Sequence, residues 1–448
     1  MKEFLKSIYC DNHTKKKFTQ LVFLSIFILL SIQTIFNSFC TELSLHYPYT
    51  TFLFKPDEKF ADFFKSILSL PENQNVLKPN TFFPNFLQVP EYITKYLISN
   101  PYGGEDVLSN TDLLSHFMNP PITTSIYLVS LKIFKFVPAQ IFFLIMCSFF
   151  YWAVFNSIFK ATDSKNDAYL WSLTFLLSYP ALMIFSRGNI GAMIAFFSAF
   201  YFLLNLPKDA INNKFTWLLF ILAIGVNARP NIAILSLIPL IHMDRKFIIK
   251  YLAYFSFFCV SIFLVFLALT NYLYPAFTIH NWLLGLESYH SNYVVKNWGI
   301  SFGSSFFTVL KMFFGYNKPI EIINYLIFGA VIFYTCYLGR NRKISKLAFI
   351  YIIAGSSIIG SPVIGDYHLS LFFAVLMYCY VNNFVNMKKT EVQTIVLAII
   401  ILISPKNYIY IHENSLQVLI NPLVFMTSIF YLLKLKITIP KLDKLNVR

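Results

Sequence analysis

From Pro120 onward the chain is a nearly continuous series of apolar runs, and this constrains its fold more than any other feature. The runs lie at about 121–137, 139–159, 168–185, 190–206, 215–242, 247–271, 319–338, 344–361, 367–385, 391–404 and 417–434, and another occupies 21–39. A membrane-spanning helix needs about 20 predominantly apolar residues. The runs therefore predict an all-α, polytopic transmembrane helical bundle of about 12 spans. Charge content points the same way: only 13% of the 448 residues are charged, about half of what a soluble domain carries. Such a chain cannot cover itself with a solvated surface, and no separate soluble domain is left over.

Between the runs, charge sets the orientation. The formal net charge is +15, but the basic residues fall in short clusters between apolar segments, the pattern of membrane topology and not of nucleic-acid binding. Lys15, Lys16 and Lys17 precede the first run, and this 1–20 segment reads as a cytoplasmic arm before a retained first helix. Arg340, Arg342, Lys343 and Lys346, then Lys388 and Lys389, then the 435–448 tail with Lys436, Lys441, Lys444 and Arg448 are placed inside by the same rule. The 21–434 bundle then carries outward-facing segments at 272–303, 361–368 and 404–415. The first loop, 41–119, holds nine of the 21 acidic residues against five lysines and no arginine, which assigns it to the outer face. Within it, Phe60, Phe63, Phe64 and Ile67 have the i, i+3, i+4, i+7 spacing of a helix lying along a membrane surface.

Both termini inside require an even number of crossings, and two arrangements provide it. Either 121–137 fails to cross fully and 215–242 is two half-helices broken at Asn227-Ala228-Arg229-Pro230, or the former crosses and the latter is one long tilted helix. The Arg-Pro step fits the first, since proline disfavours helical geometry at the residue before it. That arrangement puts Arg187 and Arg229 on the outer side.

Four polar places interrupt the apolar sequence. Charged residues at span centres cost about 2.5 to 3.5 kcal/mol on insertion scales, so they line cavities or find partners. The first place is Pro56-Asp57-Glu58-Lys59-Phe60-Ala61-Asp62. Asp57 and Asp62 stand roughly 140° apart on a helix, which suits a solvated surface helix, or one in which Asp62 on the aromatic side serves as a general base. The second is Ser186-Arg187-Gly188-Asn189, where a cation ahead of a helix start offers a phosphate cradle or an arginine snorkelling to the interface. The third is Asn227-Ala228-Arg229-Pro230-Asn231, a break inside an apolar stretch, which is tolerated where it lines a cavity. The fourth is Gly360-Ser361-Pro362-Val363-Ile364-Gly365-Asp366-Tyr367-His368, which gathers a carboxylate and an imidazole at a Pro/Gly-rich break, with Asp366 also suited to capping the next helix.

Other classes of site find no support. The histidines and carboxylates lack metal-ligand spacing, so neither a metal nor a cofactor is expected. The six cysteines form no CxxC pattern or disulfide framework. Neither a P-loop nor a Rossmann glycine pattern is present, and no internal repeat is visible. The 272–303 loop carries His280, Trp282, Glu287, His290, Lys296 and Trp298, rings with polar tips that suit sugar stacking or the interface belt equally.

Taken in order, the motifs resemble the GT-C superfamily of polytopic glycosyltransferases, and within it the polyprenyl-phosphate-mannose-dependent alpha-mannosyltransferases. The resemblance runs from about Asp57 to Leu376. It rests on Phe60-Ala61-Asp62-Phe63-Phe64 in a long first outer loop, the double proline of Asn119-Pro120-Pro121, and the Gly188-Asn189 helix start. It continues through the Arg229-Pro230 break with the Asp244-Arg245-Lys246 exit and ends at Ser361-Pro362 through His368. The chain departs from the family where Asn227-Ala228-Arg229-Pro230 stands for a lysine two residues further from its proline, and where Gly365-Asp366-Tyr367 stands for a tryptophan and a second histidine.

The resemblance implies an integral-membrane hexosyltransferase in a bacterial inner (plasma) membrane with an outward-facing site. Asp62 would be the general base of an inverting transfer from a polyprenyl-phosphate sugar, mannose among the candidates, to a glycan or glycolipid hydroxyl. Arg187, Arg229 and His368 would hold the departing lipid phosphate, with Asp57, Asn189 and Asp366 completing the binding site. Competing expectations are a lipid-linked glycan polymerase or ligase, a transporter or flippase of lipid-linked sugars, and a membrane scaffold without catalysis.

Overall fold

The computed structural model describes residues 18–32, 119–134, 136–206, 213–240, 245–273, 277–296, 304–382, 389–404 and 417–437, together with Met243, Pro275, 410–411 and 414–415. Among these the chain is helical apart from a two-residue antiparallel pair, Tyr410–Ile411 with Asn414–Ser415. The helices are α1 (Phe18–Ile32), α2 (Pro121–Phe134), α3 (Phe136–Thr162), α4 (Lys165–Leu177), α5 (Tyr179–Arg187), α6 (Ile190–Leu204), α7 (Asn213–Ala228) and α8 (Leu237–Leu240). After these come α9 (Arg245–Leu273), α10 (Ile279–Tyr289), α11 (Phe306–Phe314), α12 (Lys318–Arg340), α13 (Lys346–Ile359), α14 (Ser370–Val381), α15 (Lys389–Ile403) and α16 (Gln417–Ile437). Tight 3-10 turns at Pro230–Ser236 and Asp366–Leu369 precede α8 and α14, and a π-helical turn, His290–Val295, extends α10.

Within the described residues the apolar runs of the sequence fall largely on helix, but the lengths differ from twelve uniform crossings. Among the described residues two helices are long and apolar enough to cross a membrane, within Phe247–Leu273 and Lys318–Arg340, and Lys165–Leu177 with Tyr179–Phe185 makes a third if its 72° bend lies within one span. Along the first two, Ile249, Phe257, Val265, Leu326 and Phe333 are exposed, an apolar face that lipid would cover. The 168–185 run is not one straight helix. Ser178 is extended (φ −68°, ψ 141°) and Pro180 sits in the first turn of α5, where its missing N–H costs nothing. The 121–137 run gives a 14-residue α2, about 21 Å long, too short to cross a hydrocarbon core of about 30 Å.

At the centre lie α13 and α14, apolar on every side and buried throughout, from Leu347 to Ile359 and from Ser370 to Tyr380. A helix hydrophobic all round belongs inside a large bundle. Their common junction is the 361–368 segment, so the Pro/Gly-rich motif is mounted on the two most buried helices. Polar contacts divide the bundle into two ends. At one, Arg340 Nη1 donates to the Met243 carbonyl (2.6 Å), Tyr380 Oη to Asp167 Oδ2 (3.0 Å) and Ser345 Oγ to Glu391, while the Lys346 ammonium lies over Tyr378. At the other, Thr270 Oγ1 donates to the Pro121 carbonyl (3.0 Å), Asn324 Nδ2 to the Gly360 carbonyl (2.9 Å) and the Ser304 N–H to the Ile364 carbonyl (3.1 Å).

The 215–242 run doubles back between these ends. Phe215 packs on Tyr251 with ring centres 5.5 Å apart and the rings tilted by 32°, and Tyr251 Oη donates to the Ser236 carbonyl at 2.7 Å, so residues on both sides of the break meet the same residue near the start of α9. At the turn, Asn227 Nδ2 donates to the carbonyl of Cys259 (3.1 Å), the midpoint of the 29-residue α9. The segment therefore enters and leaves at the Arg340 end, and its tip reaches about halfway up α9. The break at Arg229-Pro230 read from the sequence is therefore present, and α2 shares its short length with α6, α13 and α15.

Candidate functional site

The site is built where the tip of this hairpin meets the start of α6 and the segment ahead of α14. Helix α7 ends because Pro230 cannot continue it: Arg229 is extended (φ −149°, ψ 99°), its N–H closing on the Gly225 carbonyl at 2.8 Å. The flanking asparagines hold the tip in place. Asn227 ties it to α9, and Asn231 Nδ2 donates to the Ser357 carbonyl of α13 at 3.0 Å. Both amides thus serve the backbone, and Arg229 is the polar residue of this motif left to face the bundle interior.

Among the described residues its guanidinium has two close contacts. Arg229 Nη2 donates to Asn189 Oδ1 at 3.0 Å, and the guanidinium carbon lies 5.6 Å from the centre of the Tyr367 ring, a cation–π distance. Asn189 is the N-cap of α6, and the same Oδ1 accepts the Ala192 N–H at 2.9 Å. The turn leading into it is fixed by Gly188, whose left-handed φ of 66° closes α5 with its N–H directed to the Ile184 and Phe185 carbonyls. Tyr127 Oη of α2 donates to the Gly188 carbonyl at 3.3 Å. Among the described residues no carboxylate forms an ion pair with Arg229, so its positive charge is not neutralised by an acid there.

His368 follows Tyr367 on the same 3-10 turn, ahead of the buried α14 segment. With Nδ1 protonated, it donates to the Gly365 carbonyl at 3.1 Å.

Asp366 belongs to an adjoining network and not to the Arg229 cluster itself. The buried carboxylate accepts from Tyr179 Oη on Oδ2 (3.3 Å) and from Ser304 Oγ on Oδ1, and Ser304 Oγ accepts in turn from Asn421 Nδ2 (2.8 Å). Four elements are joined through one acid: α5, the segment before α11, the 3-10 turn and α16. The N-cap position of the 3-10 turn is Gly365, so Asp366 stands one residue inside it, and its carboxylate serves tertiary fixation through Tyr179 and Ser304.

The structure thus brings together three of the sequence motifs, through Asn189, Arg229 and the Tyr367–His368 pair, with Asp366 bracing them. Arg187 ends α5 two residues before Asn189, half-buried, where a cation suits the carbonyl end of the helix. Asp57 and Asp62 lie outside the described residues. Sequence reasoning missed Tyr179, Ser304, Asn421 and Tyr367 as partners in the site. The first three are polar side chains within or beside apolar segments, and only Tyr179, next to Pro180, stood at a visible break. No family model, curated protein or solved structure matches the chain.

Proposed function

We propose that the chain is a polytopic integral-membrane glycosyltransferase that moves a hexose from a polyprenyl-phosphate donor to an acceptor hydroxyl. The observation that carries this reading is the convergence of Asn189, Arg229 and Tyr367 on one point, with a guanidinium that no described acid neutralises. In the reaction the acceptor oxygen forms a bond to the anomeric carbon as the bond from that carbon to the phosphate oxygen breaks. Asp62 takes the hydroxyl proton, and the polyprenyl phosphate leaves with its electron pair. Charge grows on the phosphate as it departs, and a cation already fixed by two partners stabilises it without reorganising. Arg229 fills that role, and the aromatic faces of Tyr367 and its neighbours suit the sugar ring.

Radiolabelled polyprenyl-phosphate sugars offered to purified protein test the proposal. Label should appear in an acceptor with one of them, and Asp62→Asn should abolish it while leaving expression intact.

One observation favours a second reading, a transporter of lipid-linked sugars. The Arg229 turn stands level with the middle of α9, and transporters place their binding charges near the bilayer midplane. Translocation of the intact lipid in vesicles, without sugar transfer, would select it.

A further inference from the structure

Three exposed apolar side chains of α10, Ile279, Leu283 and Leu286, follow one another at i, i+4 and i+7 and lie within about 60° on the helix. Another flank packs on the bundle: Gly285 is buried, and the Trp282 ring meets the Phe263 ring of α9 at 5.4 Å. His280 and Glu287, both exposed, form a third, polar edge roughly 90° from the stripe. Protein on one side, an apolar face on the next and a polar edge beyond it is the division of a helix held in a membrane interface. Its neighbours place α10 at that level. Phe263 stands ten residues before Leu273, about 15 Å along α9, so α10 starts beside the apolar length of that helix and not beyond its end. At the far end of α10, where the π-helical turn begins, His290 Nε2 meets Glu321 Oε1 in the first turn of α12 at 3.3 Å. α10 thus bridges the two helices that, among the described residues, are long and apolar enough to span a membrane. Exposed apolar residues adjoin both contacts, Leu264 and Val265 after Phe263 and Ile322 and Ile323 after Glu321. The stripe therefore continues faces that already meet lipid.

We propose that α10 lies in the membrane interface at the Thr270 end of the bundle, with Ile279, Leu283 and Leu286 among lipid acyl chains and the His280–Glu287 edge toward the head groups. The occupant of this apolar face is the bilayer itself. Phe313 and Phe314, exposed at the end of α11, stand three and two residues before Tyr316, whose Oη donates to Glu321 Oε2 at 3.2 Å, and they extend the same collar. The 272–303 segment, an outward-facing loop by its place in the sequence, thus carries an element sunk into the leaflet. The proposal requires a membrane protein and holds equally for a transferase and a transporter.

Fluorescence quenching in reconstituted vesicles tests this without requiring turnover. A bimane label is placed on Leu283→Cys, Leu286→Cys, Glu287→Cys and, as a lipid-facing reference on α9, Leu264→Cys, and the signal of identically treated wild type is subtracted for the native cysteines. The quenchers are iodide in the buffer and phosphatidylcholine brominated either near the head group or near the chain end. Labels on the two leucines of α10 should lose emission to the bromolipid, more with bromine near the head group, since an interfacial helix sinks its apolar face by about 5–10 Å. They should resist iodide as the Leu264 label does, whereas the Glu287 label should lose its emission to iodide. Iodide quenching at both leucines equal to that at Glu287 places the helix in water and overturns the proposal. Protection of both leucines from both quenchers also overturns it, because their cover is then protein. Each variant is read only with a melting profile like that of wild type, and the two leucines report on the stripe independently should one variant fail to fold.

Discussion

Arg229 Nη2 and the Ala192 N–H share one acceptor, Asn189 Oδ1, at 3.0 and 2.9 Å. A single side chain therefore caps α6 and aims the guanidinium, so a helix start and a charged site are set by the same atom. Asn189→Ala removes both. The lost cap should lower stability by about 0.5 to 2 kcal/mol, read from thermal unfolding in detergent, and sugar transfer should fall further than that loss explains. Asn189→Asp keeps the cap but adds an acid beside Arg229, so it should restore the melting temperature and leave donor binding weak.

Arg229→Lys is not a conservative exchange at this position. Lysine keeps the charge but loses the planar fork that serves Asn189 with one nitrogen while its central carbon stands over the Tyr367 ring. Transfer should drop by more than about tenfold, the rate equivalent of one charge-assisted bond. Activity equal to wild type in Arg229→Lys would mean that only net charge matters.

Ser304 donates to Asp366 and accepts from Asn421, so its removal leaves two buried groups short of a partner at once. Ser304→Ala should destabilise by about 1 to 3 kcal/mol, and a double-mutant cycle with Tyr179→Phe should show coupling, since both hydroxyls serve the same carboxylate. Independent, additive losses would argue that the network is not a unit.

Much of the helix placement was legible because it follows from composition: long apolar runs make helices wherever proline and polar residues do not interrupt them. The Arg229-Pro230 break was visible for the same reason, and the structure turns the chain there. Direction was not visible. Nothing in the apolar character of 215–242 says that it doubles back, a fact that resides in Phe215 and Ser236 both meeting Tyr251. The bend at Ser178 was signalled by Pro180 but hidden within a run that reads as continuous. In the site, Arg229, Asn189, Asp366 and His368 stood out as polar groups at helix breaks. Ser304 and Asn421 did not, because a lone hydroxyl or amide in an apolar segment has no distinguishing neighbour in sequence, and its role is set by which distant helix packs against it.

The most direct test of the account is transfer of radiolabelled sugar from a polyprenyl-phosphate donor by purified protein, compared for wild type, Asp62→Asn and Arg229→Met. The account predicts labelled acceptor and released polyprenyl phosphate in equal amounts from wild type and neither product from the two variants. Absence of transfer from every lipid-phosphate sugar tried, with intact donor moved across vesicle membranes in an Arg229-dependent manner, would contradict it.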